Sequence, residues 1–173
     1  RGVAKNPNTP APILEVLAKD KEYKVRWDVA ENPHPHVSLL ETLTKSRDRR
    51  VREGVAENPN ATLSLLKMLA KDKHGTVRLA VAKNPNIPLP LLKILAKDKN
   101  ANVQSEIAKN PNTPISLSKS LLESLAKDKD EWVRGDVAEN PNTPAPVLEI
   151  LAKDKEWQVR RDVAENPNTP VPA

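Results

Sequence analysis

The chain of 173 residues contains 28 Lys and Arg against 23 Asp and Glu, which gives a formal net charge of +5. It has no Cys, which excludes disulfides and thiolate metal sites and fits a reducing compartment, so we expect a cytoplasmic location. No stretch approaches the roughly 18 consecutive apolar residues of a membrane-spanning helix, and we expect no membrane partner.

An Asn-Pro pair divides the chain into repeats. Successive pairs are 26 residues apart, except for one interval of 30. The prolines of these pairs are Pro7, Pro33, Pro59, Pro85, Pro111, Pro141 and Pro167. A fixed period of this length indicates stacked supersecondary units. We therefore predict one domain, a single solenoid repeat array over residues 1–173, and expect it to be cut mid-repeat at both ends.

Along the chain, each Asn-Pro turn is followed by two short segments with helical patterns, called helix A and helix B. In the copy that follows Pro141, Thr143 is the expected N-cap and Pro144 the first residue of helix A, at roughly residues 144–153. Val159 and Val163 form the apolar seam of helix B. Helices this short are marginal alone, and one element of each pair is short enough to be a 3₁₀-helix.

Some copies depart from the repeat. The second has His34-Pro35-His36 where others have Asn-Thr-Pro. The fifth copy, after Pro111, holds four extra residues around 118–120, about one helical turn, so its helix A is predicted to be a turn longer. No segment alternates with the period of a β-strand. The fold class predicted is therefore an all-α solenoid of about six two-helix repeats.

Two residue types recur in every copy or nearly so. The asparagine of each Asn-Pro pair is predicted to end helix B through a bond to its local backbone, and a functional ladder of amides is the alternative. An arginine recurs in helix B at Arg26, Arg52, Arg78, Arg134 and Arg160, and Gln104 replaces it once. We favour a structural role, in which each Arg pairs with a recurrent Asp of its own or an adjacent repeat. The alternative is a stripe of arginines that contacts phosphates. The recurrent aspartates considered are Asp20, Asp72, Asp128 and Asp154.

The positions that vary between copies are the candidates for recognition. A column is the set of residues at one position in successive repeats. The outward columns of helix B hold all four aromatic residues of the chain. Exposed Trp, Tyr and Arg are the types that anchor protein interfaces. The alternative is that these rings lie flat on a neighbouring helix. The candidate partner-binding residues are Tyr23, Trp27, Arg49, Arg50, Leu79, Trp132, Trp157 and Arg161.

The sequence offers little for catalysis. His34, His36 and His74 have neither the spacing nor the companions of a metal site, and are interpreted as ordinary loop residues. The chain has four Gly and no glycine-rich phosphate loop, and no nucleophile-base arrangement stands apart from the repeat. We predict no enzyme activity, no cofactor and no small-molecule substrate.

The repeat motif resembles that of the leucine-rich repeat variant family. Its pattern V-R-x-x-V-A-x-N-P-x-T-P-x-x-x-L-x-x-L-A-x-D is matched along essentially the whole chain, for example over residues 25–33 and 143–154. The resemblance implies a right-handed superhelix of alternating α- and 3₁₀-helices without a sheet, and no catalytic activity. A looser kinship with HEAT-like repeats lies in the Asp that precedes a Val-Arg pair, as in Asp20 to Arg26.

These observations favour a noncatalytic scaffold that binds another protein through the outward columns of helix B. The alternative from another class is nucleic-acid binding through the rows of Lys and Arg. A third is a passive spacer, or a designed or recently duplicated repeat without an evolved ligand.

Overall fold

The computed structural model describes residues 2–110 and 112–170, and within them it contains helices and no strand. The chain forms two compact units, one extending to Leu91 and the other beginning at Leu92. The helices are α1 (Gly2–Lys5), α2 (Ala11–Leu17), α3 (Tyr23–Ala30), α4 (Val37–Thr44), α5 (Arg49–Glu57), α6 (Leu63–Leu69), α7 (Gly75–Lys83), α8 (Leu89–Leu95), α9 (Ala101–Lys109), α10 (Ile115–Leu125), α11 (Glu131–Glu139), α12 (Ala145–Leu151) and α13 (Trp157–Glu165). Even-numbered helices are the A helices, and odd-numbered helices are the B helices.

The core consists of leucines from A helices and valines from B helices. In α6 the buried residues are Leu65, Leu66 and Leu69, which share one face by their spacing. In α7, Val77 and Val81 are fully buried. A seven-residue helix is only about 10 Å long, so these helices are stabilised by packing on their neighbours.

Both members of each pair are α-helices among the described residues, so the expected alternation with 3₁₀-helices is not found. At the end of α6, the N–H of Ala70 still donates to the carbonyl of Leu66, four residues back, at 2.8 Å. Bonds to the third residue back lie at helix ends and in turns, as from Lys71 to Met68 at 3.1 Å after α6 and from Val77 to His74 at 3.2 Å at the start of α7. In the described part of the chain, none of these turns extends into a 3₁₀-helix.

In the Asn-Pro turn, the asparagine makes the bond that the sequence predicts, whereas the threonine does not. The side-chain oxygen of Asn140 accepts the N–H of Asn142 at 2.8 Å, and other repeats show the same bond. Thr143, however, does not cap helix A. Its hydroxyl donates back to the carbonyl of Val137 in the preceding helix B at 2.6 Å, and Pro144 is the N-cap of α12. Proline fits there because its fixed φ leads into the helix.

The asparagine amides also bind across repeats, which the sequence did not predict. The Nδ2 of Asn58 donates to the carbonyls of Ala30 at 2.6 Å and Asn32 at 2.9 Å, both in the preceding repeat. Asn32, Asn84 and Asn166 repeat this pair of bonds. Each buried amide thus satisfies the last carbonyls of the neighbouring helix B.

The fifth copy interrupts this asparagine ladder. As predicted, its helix A is longer, with 11 residues in α10 against 7 in α12. The added turn brings Ser118 against the end of α9, where its hydroxyl donates to the carbonyl of Ala108 at 2.8 Å. That carbonyl is the one that Asn140 would bind by analogy. The buried Nδ2 of Asn140 has no hydrogen-bond partner among the residues described.

Some predictions concern residues that the structure does not describe. Pro111 of the fifth Asn-Pro pair, Arg1 and residues 171–173 are not among the described residues. The single array over 1–173 and its right-handed winding stay predictions. No helix in the described part of the chain has the length and apolar content needed to cross a bilayer.

Candidate functional site

Four of the eight candidate residues lie together in the first unit. Tyr23, Trp27, Arg50 and Leu79 line one groove of about 540 Å³ on the outer face of the B helices α3, α5 and α7. The remaining lining residues are Lys24, Glu53, Glu57, Thr76, Ala80 and Lys83. We call this surface the α3–α5–α7 groove. It exists because the outward columns of three successive B helices lie side by side.

The indole of Trp27 lies against α5. Trp27 is half-buried, and a Cβ added to Gly54 would lie only 2.7 Å from the Cδ1 of Trp27. Only a glycine leaves room for the ring at this distance. Trp27 is therefore both part of the packing between α3 and α5 and part of the wall of the groove.

Two cations stack on the aromatic rings of the first unit. The Nζ of Lys5 lies 4.8 Å from the centre of the Trp27 ring, and the guanidinium of Arg50 lies 4.8 Å from that of Tyr23. These distances are typical of cation–π contacts. Arg49, also a candidate, lies outside the groove lining. It is exposed and donates to the hydroxyl of Thr76 at 3.0 Å.

In the second unit, two further candidates line a smaller pocket on α11 and α13. Trp132 and Arg161 border a cavity of about 260 Å³. We call this the α11–α13 pocket. Its other lining residues are Glu131, Gly135, Asp136, Glu139, Gln158, Val159 and Asp162. Trp132 is 76% exposed, far more than the half-buried Trp27.

The last candidate, Trp157, lies outside the pocket lining. Trp157 is 58% exposed. The guanidinium of Arg161 lies 5.6 Å from the centre of its ring. That guanidinium also donates to the Oδ1 of Asp162 at 2.7 Å, and this bond raises the pKa of Arg161. Arg161 thus connects the exposed indole with the buried carboxylate of its neighbour.

The recurrent arginines are occupied within the stack, as the structural interpretation predicts. Arg52 forms a two-bond ion pair with Asp72 of the next repeat, at 2.6 and 3.1 Å. Arg134 and Asp154 form the same pair at 2.6 and 3.0 Å. Arg52 and Arg134 are buried, and so is Arg78. An arginine paired in this way has little charge to offer to phosphate.

The carboxylates of these pairs are held in their charged form. Burial by itself raises the pKa of Asp72, but the hydrogen bonds from Arg52 and from the N–H of His74 outweigh it, and the pKa lies below its usual value. For Asp154, the hydrogen bond from Arg134 is the largest cause of a lowered pKa. Arg26 and Arg160 differ from these pairs. Arg26 donates only to the carbonyls of Asp20 and Lys21, since Ser46 stands where the next Asp would be. Arg160 donates to the carbonyls of Asp154 and Lys155.

A row of aliphatic residues on the A helices was missed by the sequence reasoning. The sixth residue of helix A is apolar in four repeats and is exposed in each. These residues are Val16 (71% exposed), Met68 (51%), Ile94 (56%) and Ile150 (58%). The signal was present in the sequence, because this position lies off the buried Leu face yet is apolar in most copies.

The described residues contain no group of three or more His, Asp or Glu side chains that could hold a metal ion. The histidines lie in turns and at helix starts. His74, for example, is the N-cap of α7, and its N–H is bound by Asp72 at 2.9 Å.

Comparison with solved structures supports the repeat class. The chain is similar to a leucine-rich repeat variant with a novel repetitive structural motif, with a TM-score of 0.63 and 29% identity. The match covers 91% of this chain and 61% of that one, so this chain spans about three-fifths of its length. The resemblance read from the motif is confirmed, and so is the class of all-α solenoid repeat.

An engineered protein shows the same fold at 16% identity, with a TM-score of 0.51 and coverage of 95% of this chain and 94% of that one. No family model matches the chain, and no curated protein matches it. The protein is thus a helical repeat scaffold.

Proposed function

We propose that this scaffold binds a partner protein through the outward face of its B helices, chiefly through the α3–α5–α7 groove. The observation that carries the proposal is the grouping of Tyr23, Trp27, Arg50 and Leu79 in one groove. These side chains come from three different repeats. Aromatic and Arg side chains that surround an aliphatic one are typical of the central part of protein interfaces.

The groove also has the polar surroundings that such interfaces need. Lys24 and Lys83 supply positive charge, and Glu53 and Glu57 supply negative charge. A border of mixed sign favours a partner surface with complementary charges of both signs. A polyanion would be attracted by the lysines and repelled by the glutamates.

The proposal includes the absence of catalysis and a cytoplasmic location, and it favours protein over nucleic acid. Arg52, Arg78 and Arg134 are buried, and Arg52 and Arg134 form ion pairs with Asp72 and Asp154. The electrostatic interpretation is then left with exposed lysines and with exposed arginines such as Arg49, Arg50 and Arg160, which are interleaved with acidic residues. A weak and strongly salt-dependent affinity for DNA or RNA would favour that alternative.

The test introduces a glutamate at two positions of one column. Arg50→Glu places a carboxylate against Tyr23 in the groove, whereas Asn102→Glu places one on α9, outside the groove lining. Both positions are exposed. Proteins captured by the wild-type chain should be lost with Arg50→Glu and retained with Asn102→Glu. Equal retention by both variants would contradict the groove as the binding surface.

Binding to random duplex DNA and to single-stranded RNA is measured on the same proteins at low salt. We expect that neither nucleic acid binds with an affinity that falls linearly with the logarithm of the salt concentration. A steep salt dependence together with unchanged protein capture would favour nucleic acid as the ligand.

A further inference from the structure

At two steps of the stack, a lysine of the chain itself binds the next helix B. Lys5, at the end of α1, lies 2.6 Å from Glu31 and 3.7 Å from Asp28 on α3. Its pKa is raised, with the hydrogen bond to Glu31 as the largest cause. Lys109, in the same column, lies 3.0 Å from Asp136 on α11. In both cases the last turn of one helix B provides an ammonium for a carboxylate of the next.

The step from α11 to α13 has the carboxylate without the lysine. Asp162 lies in the same column as Asp28 and Asp136, but Glu139 occupies the position that Lys5 and Lys109 have in their repeats. Asp162 is only 6% exposed. Its Oδ1 accepts both hydrogen bonds from Arg161, a side chain that is itself half exposed. Within the described chain, its Oδ2 accepts no hydrogen bond.

The Oδ2 of Asp162 faces an open space, which a side chain fills at another step of the stack. A Cβ added to Gly135 would lie 3.2 Å from the Oδ2 of Asp162, and both residues line the α11–α13 pocket. In the first unit, the column of Gly135 holds Trp27, whose ring covers α5. The absence of a side chain at Gly135 therefore opens the pocket beside a buried carboxylate.

The pocket has the chemistry of a site for an organic cation. Four carboxylates line it, from Glu131, Asp136, Glu139 and Asp162, against the single guanidinium of Arg161. The exposed indole of Trp132 forms part of its wall, as the indole of Trp27 lies against Lys5 in the first unit. A volume of about 260 Å³ is smaller than the roughly 300–1,000 Å³ of sites for drug-sized ligands, and suits one side chain.

We propose that the α11–α13 pocket binds a basic side chain, the ammonium of a Lys or the guanidinium of an Arg, from the partner protein. The incoming cation takes the place that Lys5 and Lys109 hold at other steps, against the Oδ2 of Asp162 and beside the ring of Trp132. The role of this cation in recognition rests on the proposed function, but its binding to the pocket is measured without any partner.

The probes are single amino acids with blocked ends. Nα-acetyl-lysine N-methylamide and its arginine analogue are titrated into the full chain, and the amide of Gly135 and the indole N–H of Trp132 are followed by NMR. Fragments of this size are expected to bind with a Kd on the order of millimolar. Nα-acetyl-norleucine N-methylamide has the same aliphatic chain without the charge. Shifts with a basic probe and none with norleucine support the proposal, whereas equal shifts, or none at all, overturn it.

A variant that supplies the missing lysine gives the sharpest control. Glu139→Lys restores the residue found at Lys5 and Lys109, and the new ammonium should compete with the probe and weaken its binding about tenfold or more. Glu57→Lys makes the same change in the same column of the first unit and should leave Kd within about twofold. Unchanged binding by Glu139→Lys would overturn the proposal.

Glu139 is exposed, so these variants are expected to fold, and Glu139→Gln removes only its charge. That variant should weaken binding about threefold, and unaltered affinity would contradict the role of the carboxylate. The results of the probe titrations can be distinguished from those of the capture experiment on the α3–α5–α7 groove. If the basic probes fail while Arg50→Glu still abolishes partner capture, the pocket is not a cation site and the proposed function stands.

Discussion

The step from α3 to α5 and the step from α11 to α13 have the same internal bonds and different outer surfaces. Asn58 binds the preceding repeat at 2.6 and 2.9 Å, and Asn166 does so at 2.6 and 3.0 Å. On the outer face, Trp27 covers Gly54 at the first step, whereas Gly135 leaves an open pocket beside Asp162 at the second.

From this difference we infer that recognition in this scaffold depends on pairs of columns. The recurrent residues bring successive B helices into the same contact in both units. A large residue above a glycine then produces a covered surface, and a glycine above an acidic residue produces a pocket. Stability is expected to follow the recurrent residues, and binding is expected to follow the column pairs.

The largest effect should come from the ion pairs, and it should be the same in both units. Arg52→Met leaves the carboxylate of Asp72 buried without its partner, and Arg134→Met does the same to Asp154. Each should lower the free energy of unfolding by about 3 kcal/mol. Arg26→Met is the control, because Arg26 binds only carbonyls, and should cost about 1 kcal/mol. Urea denaturation measures all three, and a cost for Arg26→Met equal to the others would contradict the role of the carboxylates.

The same variants carry a pH signature. The pKa of Asp72 is lowered in the folded protein, so the ion pair stabilises fully above the unfolded value of about 3.9 and loses that contribution as pH falls through the folded pKa. The stability difference between wild type and Arg52→Met should therefore shrink when unfolding is measured at about pH 3 instead of pH 7. The difference for Arg26→Met should stay constant, and a parallel decrease would show that another group is responsible.

The asparagine ladder should show the next largest effect, and here the fifth copy breaks the similarity between repeats. Asn58→Ala removes two hydrogen bonds to buried carbonyls and one from the N–H of Asn60, and should cost about 2 kcal/mol. Asn140→Ala should cost about half as much, because only its side-chain oxygen is bound, to Asn142. Equal losses would mean that the Nδ2 of Asn140 has a partner in solution, such as a bound water, and thermal unfolding of the two variants compares them directly.

The glycines test the difference between the two steps most closely. Gly54→Ala places a methyl group 2.7 Å from the Trp27 ring and should cost about 1–2 kcal/mol through overpacking. Gly135→Ala meets only the end of the Asp162 side chain, and the higher helix propensity of Ala should balance that contact to within about 0.5 kcal/mol. If both substitutions destabilised the protein equally, the packing of Trp27 on α5 would not be the distinguishing feature of the first step.

The sequence predicted those features that depend on residues within one repeat. The Leu and Val faces, the Asx bond of Asn140 and the extra turn of α10 all follow from local spacing. The pairing of Arg52 with Asp72 was also accessible, because charge and geometry allowed few other partners.

Features that depend on contact between repeats were less accessible. The contact of Trp27 with Gly54 can be predicted only when the columns that face each other are known. The sequence alone left open whether the ring is exposed or packs on the neighbouring helix. The hydroxyl of Thr143 was expected at the start of helix A, but the nearer carbonyl of Val137 takes it. Ser118 replaces the amide of Asn140 only because four added residues move α10 against α9.

Site-specific photocrosslinking shows whether a partner protein binds the α3–α5–α7 groove. A photoreactive amino acid is placed at Lys24, which lines the groove, or at Asn102, which holds the same column outside the groove lining. We expect a discrete crosslinked protein from position 24 and little from position 102. Crosslinks of equal yield at both positions, or crosslinks to nucleic acid instead of protein, would contradict it.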